Sequence, residues 1–315
     1  MADVKRQTFN PDHVMMHELK DGTVPKSFNQ VILKDFLDSS KVIALGQYEE
    51  MDNLEKEFQF FTKGPGAYWV GEGQKIKTSR PQLANATLRA RKLGVILPVS
   101  REYLNYTQSD FFNIMAPKVA EAFYKKFDNA FILDVDNPFT QSLKGSAEKA
   151  GNIVDGELTY DNILDLEDKI TDAGYDVNGF ISSSKNKSVL RKQGVKNENG
   201  VALSIYDRQA DEIDNIATET LRTNEMTKGT LIAGDFDYLR YGIPFPISYK
   251  IDESAQLSTI TNADGTPINL FEQELIACRF TMDIGAMVLS DDAFAMIKGE
   301  PVEEGTAETE NLETV

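Results

Sequence analysis

The hydrophobic and polar positions of this chain follow two rhythms in succession. From Leu83 to Lys92, Ala84, Ala86, Leu88 and Ala90 alternate with Asn85, Thr87, Arg89 and Arg91, the period of a strand with one wet face. Further on, Phe112, Met115, Val119, Phe123, Phe127 and Phe131 recur at spacings of three and four, which predicts a long helix with one buried face. Upstream of both, Glu57 to Thr62 presents Phe58 and Phe60 on one side and forms the outgoing arm of a two-stranded excursion, with its tip within Glu72 to Pro81. Gly64, Pro65 and Gly66 precede this ribbon, Gly71 and Gly73 flank Glu72, and Gly94 follows the ribbon, so the backbone is free to bend at both ends. A ribbon this polar has too little apolar surface to be stable alone. Another subunit is its expected partner.

The remaining elements follow from caps and turn signals. Met1 to about Thr23 has no sustained periodicity and reads as an extended arm. Ser27 is placed to cap a short helix from about Phe28 to Asp38 with Val31, Ile32, Phe36 and Leu37 as its stripe, and a strand is expected near Val42 to Tyr48. Ser100 precedes a short helix from Arg101 to Tyr106, and Ser109 or Asp110 caps the long one. Pro117 lies inside the long pattern, where it either kinks the helix or begins its regular part. Thr159 caps a helix from Tyr160 to Ala173 with Ile163, Leu164, Leu166 and Ile170 inward. A strand around Phe180 comes next, then a helix capped by Ser184 and running through Arg191. Asn197 to Gly200 is a turn-rich tip, and short strands are expected at Ile213 to Ala217, Thr230 to Ala233 and Tyr238 to Tyr241. Pro246 to Asp252 and Leu275 to Ile284 read as long strands packing under the long helix, with Asn262 to Pro267 an exposed turn between them. Ser290 is placed to cap a helix from Asp291 to Lys298 that Gly299 ends, and the tail after Glu300 is acidic and poor in apolar residues.

Composition narrows the function. With 41% hydrophobic and 26% charged residues over 315 positions, the chain is long enough to bury a large core. No apolar run approaches the roughly 20 residues of a membrane-spanning helix, and no signal-peptide core opens the sequence. A formal net charge of -17 argues against a nucleic-acid-binding protein, which needs an excess of cations on its binding face.

Candidate chemistry is sparse. Cys278, the single cysteine, lies in an apolar alternation and reads as a buried thiol. His13 and His17 have the spacing of one helical face, but no cysteine or carboxylate cluster completes a metal shell around them. Asp134, Val135 and Asp136 lack the glycine and distal glutamate of a calcium loop. Gly234 to Asp237 (GDFD) has no phosphate loop beside it and reads as a turn. No cofactor motif is present, and no Ser-His-Asp or Cys-His site can be assembled from two histidines in an irregular arm. What stands out is local charge. Lys75, Lys77, Arg80, Arg89, Arg91 and Lys92 gather on the tip and return strand of an otherwise acidic chain. With Glu72 at the tip, Lys75, Lys77, Arg80, Arg89 and Arg91 are the candidate assembly interface, expected to lie over an acidic surface of an adjacent subunit.

The run Ala67 to Ser79 (AYWVGEGQKIKTS) followed by Lys92 to Leu104 (KLGVILPVSREYL) resembles the extended loop and following strand of the major capsid proteins of tailed bacteriophages, the Hong Kong 97-type fold. The long helix resembles that family's spine helix, and Gly229 to Glu253 and Phe271 to Gly299 agree in order. The likeness points particularly to siphophages of Gram-positive bacteria. It implies an α+β fold with an N-terminal arm (1–46), an extended loop (47–95), a peripheral domain carrying the spine helix (96–149 and 242–289), an axial domain (150–241 and 290–300) and an acidic tail (301–315). It also implies a structural protein without enzymatic activity or cofactor. Such a protein assembles with itself into pentamers and hexamers of an icosahedral shell, with a scaffolding protein and a portal protein as partners. The shell encloses double-stranded DNA without sequence-specific binding, and is built in the bacterial cytoplasm without a membrane. An encapsulin-like compartment shell is the alternative of the same fold, disfavoured because Met1 to Thr23 does not read as a cargo-binding helix. A soluble carboxylate-dependent enzyme is the alternative of a different class.

Overall fold

The computed structural model describes residues 26–196, 202–207, 209–261 and 266–299. The expectations for the N-terminal arm with His13 and His17, for the tip at Asn197 to Gly200, for most of the turn after Thr261 and for the acidic tail lie outside them. The chain divides into two compact units: one of the described residues up to Asp128 together with Arg240–Met287, the other of Asn129–Leu239 together with the described residues from Val288 onward.

The first unit begins with α1 (Lys26–Ser39), which buries Ile32 and Phe36. Ser27 lies inside this helix rather than capping it. The strand expected from Val42 to Tyr48 is instead a short helix, α2 (Lys41–Leu45), followed by the two-residue β1 (Gln47–Tyr48). Ser40 decides this: its hydroxyl accepts the Ile43 amide and nucleates a helical turn that the β-branched residues alone would not favour.

β2 (Glu55–Lys63) and β3 (Gln82–Ser100) then form the ribbon. They pair antiparallel from Glu55 opposite Arg89 to Phe61 opposite Leu83, and a bulge between Phe61 and Lys63 brings Lys63 opposite Gln82. The alternation read from the sequence holds, with Ala86, Leu88 and Ala90 buried while Asn85 and Arg89 are exposed. β3 continues for 19 residues, past the ribbon. From Ala90 to Ser100 it pairs antiparallel with β15 (Leu275–Val288). The unit's sheet has the order β1, β12 (Leu239–Asp252), β15, β3, β2, and β13 (Gln256–Thr261) pairs separately with β14 (Pro267–Asn269). Tyr238 to Tyr241 and Pro246 to Asp252, expected as two strands, belong largely to the single β12.

α3 runs unbroken from Arg101 to Leu133, so no cap at Ser109 or Asp110 divides it, and Pro117 is interior rather than a start. The helix carries Val119, Phe123, Phe127 and Phe131 buried at the expected spacing; Phe112 shares that spacing, its side chain lying outside the described set. The continuity has a physical source, since Thr, Gln and Ser at 107–109 are tolerated in a helix even though they are more frequent at its ends.

The second unit is built on a seven-stranded sheet in the order β4 (Ile153–Asp155), β16 (Phe294–Lys298), β11 (Leu231–Gly234), β5 (Gly179–Ser183), β10 (Ile216–Leu221), β9 (Glu212–Ile213), β8 (Tyr206–Asp207). A separate small ladder joins β6 (Gly194–Lys196) and β7 (Ala202–Ser204). Two helices accompany the sheet: α4 (Leu143–Ala150), capped by Ser142 and ended by Gly151 in a left-handed conformation, and α5 (Tyr160–Asp172), capped by Thr159. Ile163, Leu166 and Ile170 of α5 join Phe180, Leu231, Ala295 and Ile297 in one core, whereas Leu164, expected inward, is exposed. The expected strand from Ile213 to Ala217 is a hairpin: Asp214 and Asn215 take positive φ angles of 50° and 65° and turn the chain so that Ile216 lies opposite Ile213.

Two expected helices are corrected here. Ser183, not Ser184, caps a 3-10 turn (184–186), and only Lys187–Leu190 is α-helical. The run Asp291 to Lys298 makes a 3-10 turn at Asp291–Ala293 and then β16, which pairs antiparallel with β11 and parallel with β4. Phe294, Ala295, Met296 and Ile297 are all buried, as a central strand requires, and a short apolar run without period cannot be told from a buried helix by pattern alone.

One buried charge ties α2 to the long helix. The Asp128 carboxylate, 1% exposed, accepts hydrogen bonds from Ser40 Oγ (2.7 Å), the Lys41 amide (2.9 Å) and the Val42 amide (3.4 Å), while Phe127 beside it meets Phe36 of α1 with ring centroids 6.2 Å apart. Burial pushes this carboxyl up from 3.8 to about 6, against the opposing pull of those hydrogen bonds and of Lys41. A raised carboxyl pKa means that the folded state binds the proton more tightly than the unfolded chain does. The cost of the buried charge is therefore fully present above about pH 6 and is relieved as pH falls toward 4. At about 1.4 kcal/mol per pKa unit this amounts to roughly 3 kcal/mol. Urea denaturation of the subunit between pH 7 and pH 4.5 should therefore show a stability gain on acidification that Asp128→Asn lacks. Parallel pH profiles for the two proteins would refute the assignment.

Candidate assembly surface

The ribbon's faces follow from its register. Cross-strand partners share a face, so Phe58, Phe60, Ala84, Ala86 and Leu88 lie on one side and Glu55, Glu57, Gln59, Asn85, Thr87 and Arg89 on the other. Leu88 is fully buried and packs with Met51 and Ala90, with Phe58 and Met287 against them. On the polar face Arg89 Nε reaches Glu55 Oε1 at 3.3 Å, directly across the ladder.

Residues 64–81 join the two strands without regular secondary structure. They are nonetheless closed on themselves at three levels. The Gly66 amide donates to Ser79 Oγ (2.7 Å), the Lys77 ammonium sits over the Tyr68 ring (5.6 Å to its centroid), and the Gln74 amide donates to the Gly71 carbonyl (3.1 Å). Gly73, with φ at +74°, supplies the left-handed residue of this last turn. The turn centres on Glu72 and Gly73, at the N-terminal end of the range expected for the tip.

Of the six residues anticipated for the interface, the structure brings Glu72, Lys75, Lys77 and Arg80 together on this loop, all exposed. Arg89 and Arg91, also exposed, lie further along β3, about 20 Å or more from the tip at a strand's rise of about 3.3 Å per residue. What the reading of charges passed over is apolar. Tyr68, Trp69, Val70 and Ile76 are all exposed on the same loop, Trp69 at 104% and Ile76 at 80%. The signal was present in the sequence as a cluster of large apolar side chains among glycines with no period to bury them.

The described residues among those weighed for chemistry serve the fold. Cys278 is fully buried in β15, and burial pushes its thiol up to about 11. Asp235 caps the 3-10 turn Phe236–Tyr238 by accepting the Asp237 amide, and Asn178 binds both Asp235 and the Phe236 amide, so GDFD is a turn. Asn137 closes the turn at Asp134, whose φ is 64°. Among the described residues no group of three or more His, Cys, Asp or Glu is disposed to hold a metal ion, and no helix is long and apolar enough to cross a membrane.

The sequence matches the phage capsid family over residues 21–299, and the chain belongs to that family. It is 52% identical over 296 residues, 94% of this chain and 90% of the relative, to the major capsid protein of Staphylococcus phage 80alpha. Solved chains from Microbacterium phage Oxtober96 (TM-score 0.66, 22% identity, covering 83% of this chain and 91% of that one) and Mycobacterium phage Adephagia (TM-score 0.65, 20% identity, 83% and 90%) share the fold.

The two faces of the ribbon should respond differently to truncation. Arg89→Ala removes a half-exposed ion pair and should change stability by less than about 1 kcal/mol. Leu88→Ala, on the buried face, should cost about 2–5 kcal/mol in urea denaturation. Equal effects would mean that the burial of Leu88 does not hold the base of the ribbon.

Proposed function

We propose that this chain is the major capsid protein of a tailed bacteriophage, a structural subunit and not an enzyme, which assembles with copies of itself into the shell of the virion. The observation that carries this reading is the 52% identity to a major capsid protein along 94% of the chain. It also favours a phage shell over a bacterial compartment.

The finer reading follows from the family's architecture. The subunits form pentamers and hexamers, a scaffolding protein guides them in the host cytoplasm, and a portal protein occupies one vertex. The extended loop (47–95) and the peripheral domain with the long helix (96–149 and 242–289) hold neighbouring capsomers together; the axial domain (150–241 and 290–300) lies at the capsomer centre. The enclosed double-stranded DNA meets a wall whose subunits each carry a net charge of -17, which repels phosphate and leaves the genome free to move. The basic tip, with Glu72, Lys75, Lys77 and Arg80 and with Arg89 and Arg91 behind it, lies over an acidic surface of the adjacent subunit.

Sedimentation velocity and electron microscopy of the protein, expressed alone and beside a scaffolding protein, test the assembly. Hollow shells or capsomer rings are expected, and a strictly monomeric species under both conditions would overturn the reading. Reversal of Lys75, Lys77 and Arg80 to Glu should leave the circular dichroism spectrum of the subunit unchanged while abolishing or strongly reducing shells; normal shell yield from the triple variant would remove the loop's charge from the interface.

A further inference from the structure

The chain contains a single tryptophan, and it is the most exposed of the loop's large apolar side chains. An isolated exposed apolar residue needs no explanation, but Trp69 stands with Val70 and Ile76 on a segment whose backbone is already held by the Gly66–Ser79, Lys77–Tyr68 and Gly71–Gln74 contacts. Ordering a loop is one of the main costs of binding, and here much of that order exists before any partner arrives. Large aromatic side chains in such positions dominate binding energies at protein interfaces.

The distribution of charge also indicates the partner. The loop carries three basic side chains and one acidic one, whereas a whole copy of the chain carries a net -17, so a second copy offers the opposite sign to Lys75, Lys77 and Arg80. From this we infer that Trp69 is the aromatic anchor of the loop, seated on assembly in an apolar recess of an adjacent copy of the same chain. The cations around it steer the approach and set its salt dependence, while the indole holds the docked state. The inference rests on the assembly reading above and adds to it the residue that does the holding.

Because Trp69 is the sole tryptophan, its fluorescence reports on this one site. The full-length protein is followed as it assembles with its scaffolding protein, the scaffold's own emission being subtracted or its tryptophans replaced. Emission should move to shorter wavelength and quenching by acrylamide should fall as shells appear in the electron microscope. Shells that form with emission and quenching unchanged would overturn the inference while leaving the capsid reading intact, and a chain that stays monomeric would overturn both. Trp69→Ala should keep the subunit's circular dichroism spectrum and raise the protein concentration needed for assembly by about tenfold or more, with Trp69→Phe recovering part of the loss. Assembly of Trp69→Ala at the wild-type concentration would refute the anchor.

Discussion

β3 must serve two partners in succession, and the first compact unit is arranged around that demand. Up to Arg89 its ladder is with β2, and from Ala90 onward it is with β15. The exchange leaves room for only the smallest side chain. Gly285, paired with Ala90, is so close to the neighbouring strand that an added Cβ would lie 2.9 Å from the Arg89 carbonyl oxygen. A single continuous strand thus carries the ribbon outward from the sheet without a hinge, because its hydrogen bonds pass directly from one partner to the other. The burial of Leu88 and Ala90 at this point roots a projection that, by itself, would be too polar to persist.

The long helix faces a related problem of attachment. Its apolar stripe buries Val119, Phe123 and Phe127, but hydrophobic contact is non-directional and does not by itself fix where α1 and α2 sit along the helix. Asp128 supplies the direction. Its carboxylate meets donors from three consecutive residues, Ser40, Lys41 and Val42, and only one placement of α2 satisfies them all. Desolvating the charge opposes folding, as its upward-shifted pKa records, and the gain lies in a defined register between the two helices rather than in net stability.

Much of this was legible in the chain. The alternation from Ala84 to Ala90 and the three-and-four spacing from Phe112 to Phe131 are strong periodic signals over long segments, and both elements appear where the pattern places them. The errors gather where elements are short. Val42 to Leu45 has β-branched residues, yet becomes helix because Ser40 and Asp128 cap it, and Asp128 is more than eighty residues away. Phe294 to Ile297 is strand because β11 and β4 flank it, a fact of topology that no local window contains. At the candidate surface the charges of Lys75, Lys77 and Arg80 were readable because their sign opposes that of the whole chain. Trp69 was harder to read: the apolar cluster among glycines marks a segment with no period to bury it, but how far the indole stands out in solvent is known only from its surroundings.

The bulge after Phe61 shifts the ribbon's pairing by one residue, and every contact beyond it keeps the new correspondence: Lys63 with Gln82, Gly66 with Ser79, Tyr68 with Lys77, and Gly71 with Gln74. The irregular loop is thus a ladder with its rungs spaced out, and its two sides are counted against each other. A single residue gained or lost on one side would put every later rung out of step and turn side chains that now face one way to face the other. One residue added to each side would preserve the correspondence while lengthening the reach. This loop should accordingly tolerate length changes in matched pairs and resist a change by one, a constraint set by geometry alone and independent of what the loop touches.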